Sequence, residues 1–179
     1  MSGLAVVKGH PQMLTYINSL QNKESESISF YPSQVFEREM PAGKLYLGML
    51  NGEPCGYVYR GALGVDVRCY QVCIQYDARL RSHGKALMDA VEADAERVGA
   101  YSITLRCGFE LSANLFWQSL GYDCVQSQDG GLRRSRRINV WRKHFQPVLF
   151  PVAGLVPETG EVSKLAWRAR NREMYGFTT

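Results

Sequence analysis

The stretch Tyr76-Asp77-Ala78-Arg79-Leu80-Arg81-Ser82-His83-Gly84-Lys85-Ala86-Leu87 gathers residue types that hold phosphate. An apolar run precedes it and a helical pattern follows it, so a strand ends, a short loop turns and a helix begins. The N–H groups at such a helix start point at an anion, with the positive end of the helix dipole behind them. Gly84 lets a ligand approach the backbone closely. Arg79, Arg81 and Lys85 add positive charge. Neither GxxxxGK[ST] nor GxGxxG is present, so the loop is not one of the two common nucleotide-binding turns.

A second charged segment lies near the C-terminus, in Arg133-Arg134-Ser135-Arg136-Arg137-Ile138-Asn139-Val140-Trp141-Arg142-Lys143. Residues 1–130 carry 11 Lys/Arg against 14 Asp/Glu, a net −3; residues 131–179 carry 10 against 3, a net +7. Arg134, Arg136 and Asn139 are candidates for holding an anionic acceptor, with nucleic acid as one such partner. The alternative reading is protective, because basic side chains also shield an exposed sheet edge. Five cysteines, Cys55, Cys69, Cys73, Cys107 and Cys124, include no CxxC pair, so neither a zinc set nor a disulfide framework is indicated and no metal is expected. Reduced, mostly buried thiols and the lack of a leader pattern lead to the expectation of a cytoplasmic protein. No run of ~18 apolar residues suggests a membrane span.

These residues need elements to position them, and the hydrophobic periodicity supplies a set. Leu4–Lys8 reads as a strand. A helix follows His10–Pro11, with Met13, Leu14, Ile17 and Leu20 on one face. A second short helix lies in Tyr31–Met40. The period then becomes two: strands at Lys44–Leu50 and Glu53–Arg60 flank Asn51-Gly52, the strongest short hairpin signal. Val65–Tyr76 reads as a long strand with neither face uniformly polar, as expected when both faces are covered. Lys85–Val98 is a helix capped by Gly99, its apolar stripe interrupted by Asp94. Tyr101–Cys107 is a strand, Leu111–Leu120 a helix, and Tyr122–Ser127 and Arg136–Lys143 are strands. The expected fold is α/β, with a mixed, mostly antiparallel central sheet flanked by helices. The 179 residues divide into a domain of residues 1–145 and a basic C-terminal extension of 146–179.

Two segments together resemble a family. Arg79-x-x-Ser82-x-Gly84-x-Ala86-Leu87 is similar to the R/Q-x-x-G-x-G/A pyrophosphate loop of the GNAT N-acetyltransferases, with Ser82 standing where that family has Gly. A second register, Arg81-x-x-Gly84-x-Ala86, also fits. Downstream, Ala113-Asn114-Leu115-Phe116-Trp117-Gln118-Ser119-Leu120-Gly121 resembles the family's A-x-x-F-Y-x-x-L-G segment. The resemblance spans roughly residues 4–145.

It implies a specific mechanism. Two central strands splay, and acetyl-CoA lies in the cleft as acyl donor. The backbone of Cys73, Ile74 and Gln75 would pair with the pantetheine, and the amides from Arg81 through Ser82, His83, Gly84 and Lys85 to Ala86 would hold the pyrophosphate. Asn114 is a further candidate for contacting the cofactor. An amine then attacks the thioester directly. Catalytic candidates are Tyr76, Glu110 and Trp117. The family's Tyr, commonly the acid that protonates the leaving thiolate, is here Trp117, whose indole N–H is a donor only. The alternatives are an acyltransferase acting on nucleic acid or aminoacyl groups, and a CoA-binding module with weak catalysis. A homodimer through the extension is also open.

Overall fold

The computed structural model describes residues 4–79, 82–130 and 136–145. Leu80, Arg81, residues 131–135, with Arg134 among them, and the expected extension 146–179 lie outside the described residues.

One seven-stranded sheet organises these segments. The strands are β1 (Leu4–Lys8), β2 (Leu45–Leu50), β3 (Glu53–Arg60), β4 (Asp66–Ile74), β5 (Ser102–Gly108), β6 (Asp123–Asp129) and β7 (Arg137–His144), in the spatial order β1-β2-β3-β4-β5-β7-β6. Every neighbouring pair is antiparallel except β4 and β5, which are parallel and joined by helix α3 (His83–Arg97). Helices α1 (Leu14–Lys23) and α2 (Ser33–Glu39) pack on one face of the sheet; α3 and α4 (Ala113–Ser119) pack on the other.

Local chemistry explains the turns. Asn51 and Gly52 both take positive φ, 53° and 87°, the conformation a two-residue hairpin loop requires. Gly99, also at positive φ, ends α3.

Two apolar layers result. Val67, Cys69, Leu87, Met88, Val91, Ile103, Leu105 and Trp117 belong to the layer under α3 and α4. Ile17, Leu20, Phe36, Leu45, Leu47, Tyr57 and Tyr59 form the layer under α1 and α2. Four of the five cysteines are buried; Cys124 is exposed.

The structure corrects two expectations. The long central strand is not covered evenly on both faces, because Asp66, Arg68 and Tyr70 are exposed. A β-bulge accounts for the mixed pattern: Tyr59 pairs with Gln71 and Arg60 with Cys69, so Tyr70 is an extra residue in β4. The bulge reverses the strand's facing. Val67 and Cys69 join the α3 layer, whereas Cys73 joins the α1/α2 layer. The second correction concerns β7. It is an interior strand between β5 and β6, so its arginines do not shield an edge.

Candidate functional site

Strands β4 and β5 part midway. Asp66 to Cys69 pair with Ser102 to Leu105; beyond that register the two strands no longer pair with each other, β4 staying on β3 through Ile74 and β5 on β7 through Gly108. The gap opens into a cavity of about 950 Å³, a size that takes a cofactor-sized ligand. Its walls are Tyr70 to Ile74 on one side and Arg106 to Gly108 with Ile138 on the other. The start of α3, the inner face of α4 and the segment Ser27–Ser29 complete the lining.

The α3 end is built for an anion. Ser82 has φ 62°, a left-handed conformation that costs a non-glycine residue ~1–2 kcal/mol. This bend is what a Gly at that position would accommodate without strain, and it swings the chain into α3. Ala86 N–H donates to Ser82 O at 3.0 Å as the first helical bond, so the N–H groups just before it have no acceptor within the helix. Ser82, His83, Gly84 and Lys85 all line the cavity. His83 is buried at the start of α3, and its Nδ1 has no partner within the described residues. Gly84 serves packing as well as approach: a Cβ there would lie 3.0 Å from Phe116 Cζ.

The remaining sequence-derived candidates divide. Ile74 and Arg79 line the cavity. Arg79 is already engaged, its Nε donating to Ile74 O at 3.0 Å and its guanidinium pairing with Glu24 at 2.5 Å. Gln75, Tyr76, Ala86, Glu110, Asn114 and Asn139 do not line the cavity. Tyr76 is 80% exposed and Glu110 is exposed in the turn before α4. Asn114 is saturated by the protein. Its Nδ2 faces the carbonyls of Gly108, Phe109 and Leu111 at 2.7–3.1 Å, and its Oδ1 accepts from Asn139 Nδ2 at 3.1 Å and Trp141 Nε1 at 2.9 Å. Asn114 thus locks α4 to β5 and β7 and has no capacity left to hold a ligand, and Asn139 is drawn into the same network through its Nδ2. Arg136 does line the cavity.

Trp117 forms part of the wall. It is buried against Phe116 and Tyr122, with ring centroids 4.8 and 5.6 Å away. Burial pushes the Cys107 thiol up, and a hydrogen bond from Trp117 and the charge of Arg136 oppose that rise. Cys73, on the opposite wall, is pushed up to about 12, by burial first and then by the Glu24 carboxylate. Both thiols stay protonated near neutral pH.

Several lining residues escaped sequence reasoning. Gln71 reads as an ordinary member of an alternating strand, but its buried amide accepts from Tyr57 Oη at 3.0 Å and donates to Gln21 Oε1 at 2.8 Å and to Ser29 O. Arg106 reads as a routine exposed strand residue. Only the parting of β4 and β5 turns it toward a cavity, and no local pattern encodes that.

No protein-family model and no curated relative matches the sequence. Solved structures do match. Ard1 from Thermoplasma volcanium superposes with a TM-score of 0.71 at 14% identity, over 80% of this chain and 98% of that one. The Salmonella typhimurium protein yncA, described as an acetyltransferase and solved with its cofactor acetyl-CoA, gives 0.70 at 14% identity, over 85% and 99%. A GNAT-family protein from Desulfovibrio desulfuricans gives 0.64 at 14% identity, over 79% and 99%. The chain has the GNAT acetyltransferase fold, a mixed, mostly antiparallel seven-stranded sheet flanked by helices.

Proposed function

We propose that the protein is an acyl-CoA-dependent N-acetyltransferase that transfers acetyl directly to an amine. The observation that carries this reading is the cavity between β4 and β5, which runs to the unpaired amides at the start of α3. The residues present fit coenzyme A. The α3 amides, Lys85 and the orphaned His83 nitrogen offer partners for a pyrophosphate, and the β5-facing edge of β4, which past Cys69 has no strand partner, offers backbone to an extended chain. Acetyl-CoA supplies an acyl thioester whose C–S bond breaks as the amine's C–N bond forms, one amine proton balancing the released thiolate.

The protein's own groups favour direct transfer over a covalent enzyme. A thiol nucleophile acts as thiolate, and burial holds Cys73 and Cys107 protonated. Trp117 orders the wall, and its indole N–H, a donor that does not give up its proton near neutral pH, has no role as a Brønsted acid. Glu24 is the carboxylate within the lining; paired with Arg79 at the α1 side, it is the group placed to accept the amine proton directly or through water.

Calorimetric titration with acetyl-CoA and with CoA tests the reading. Saturable binding of both at one site per chain is expected. Absence of binding of either at millimolar ligand would overturn it.

A further inference from the structure

The cavity has more positive charge than a CoA pyrophosphate uses. Glu24 and Arg79 pair with each other, and Lys85, which pairs with Asp89, belongs to the α3 end. Two lining guanidiniums remain, on the far wall. Arg106 is exposed on β5 and pairs with no carboxylate among the described residues. Arg136, just ahead of β7, donates among the described residues only to the carbonyl of Glu26, at 3.3 Å. A Cβ added at Gly108 would lie 3.3 Å from Arg136 Nη2, so the missing side chain two residues after Arg106 is what admits the second guanidinium beside this strand. Arg106 and Gly108 lie on the same face of β5, and that face is opposite the one where Cys107 packs on Trp117.

We propose that Arg106 and Arg136 select the acceptor, an amine that also carries a carboxylate or a phosphate. This rests on the acetyltransferase reading above. Two guanidiniums opposite the α3 end present forked donors to an anion and leave the acceptor's amine free to reach the thioester. The segment Ser27–Ser29 closes the third side, tied to one wall by Gln71 at Ser29 and, through the carbonyl of the preceding Glu26, to the other by Arg136. Neutral amines would gain nothing from these arginines and would bind weakly.

The test uses the full chain, first titrated with CoA, then assayed for thiol release from acetyl-CoA. The acceptors are matched: glycine and 2-aminoethyl phosphate carry the anion, glycinamide and ethanolamine do not. We expect kcat/KM at least ~10-fold higher for one anionic amine, and the winner tells carboxylate from phosphate. Arg106→Gln and Arg136→Gln should each lower that advantage ~10- to 100-fold, mainly through KM, with the CoA affinity unchanged. Arg38→Gln, a remote loss of one charge, should alter nothing. Equal rates for both amine sets, turnover of neither by CoA-loaded protein, or loss of CoA binding in either arginine variant would overturn the assignment. Failure of the unmodified protein to bind CoA would instead overturn the donor reading beneath it.

Discussion

Trp117 occupies the position from which a tyrosine would protonate a leaving thiolate in the family that the sequence resembles. Its surroundings explain why the substitution need not abolish transfer. The ring is 6% exposed and touches Phe116 and Tyr122. It is a structural wall for the cavity. Trp117→Phe should therefore cost ~1–2 kcal/mol of stability through lost packing. Turnover should stay within a few-fold of the unmodified protein, measured as kcat in the thiol-release assay. Loss of a true acid would cost ~100-fold or more, and a fall of that size would show that the indole N–H reaches the departing sulfur. Asn114 makes the complementary point. Its place beside Trp117 on α4 suggested a ligand contact, but all its hydrogen-bonding capacity is spent on β5, β7 and the turn between β5 and α4.

At the scale of elements, α3 is strapped to the sheet at two points. Asp94, which interrupts the helix's apolar stripe, pairs with Lys8 of β1 and accepts from Tyr46 Oη of β2 at 2.7 Å. Tyr46 in turn accepts from the buried Arg60 at 2.9 Å. Glu92 does the same toward the other end, accepting from Tyr122 at 2.9 Å and pairing with Lys143 of β7 at 2.6 Å. The hydrogen bonds from Lys8 and then Tyr46 hold the Asp94 carboxyl well below the usual carboxylate range. A depressed folded value means stability that is complete above the unfolded pKa of ~3.9 and is lost as pH falls below it. Asp94→Asn should cost ~1–3 kcal/mol at pH 7, read from denaturant melts. That gap should shrink by pH 3, and a pH-independent gap would refute the electrostatic account.

The same elements show what a sequence can carry. Asn51-Gly52 and Gly99 announce their turns because positive φ is a local demand that few residues meet. The run of apolar positions in α3 is equally local, and so is the strand–loop–helix order around Ser82. Asp94 as a strap is not local, because Lys8 and Tyr46 reach it across the sheet. The bulge at Tyr70 is hidden for a related reason: Val67, Cys69, Gln71 and Cys73 alternate perfectly along the chain, and only pairing with β3 reveals the extra residue. The candidate site was legible where backbone makes it, at Ile74 and Ser82 to Lys85. It was illegible at Gln71 and Arg106, whose roles depend on where two strands part.

Across the described fold, one sheet separates two apolar layers, and β4 contributes to both because its bulge turns it over. The residue just past that bulge is Gln71, 2% exposed. Its amide joins three elements: Tyr57 of β3, Gln21 of α1, and the carbonyl of Ser29. Gln21 extends the chain, exchanging hydrogen bonds of 2.8 and 2.9 Å with the Tyr31 backbone. The segment between α1 and α2 is thereby fixed from beneath as it borders the cavity. Gln71→Ala would leave the fully buried Tyr57 hydroxyl without its acceptor and open a small void, a loss of ~2–4 kcal/mol. For a chain of this size that lowers Tm by roughly 5–15 °C. Hydrogen exchange should quicken in residues 24–32 while α3 and β5 keep their protection, because those elements belong to the other layer. Gln126→Ala, at an exposed position of β6, should cost under ~0.5 kcal/mol. If Gln71→Ala were as mild as Gln126→Ala, the amide network would not be what holds this wall of the cavity, and the acceptor side would owe its shape to the Arg79–Glu24 pair and apolar packing.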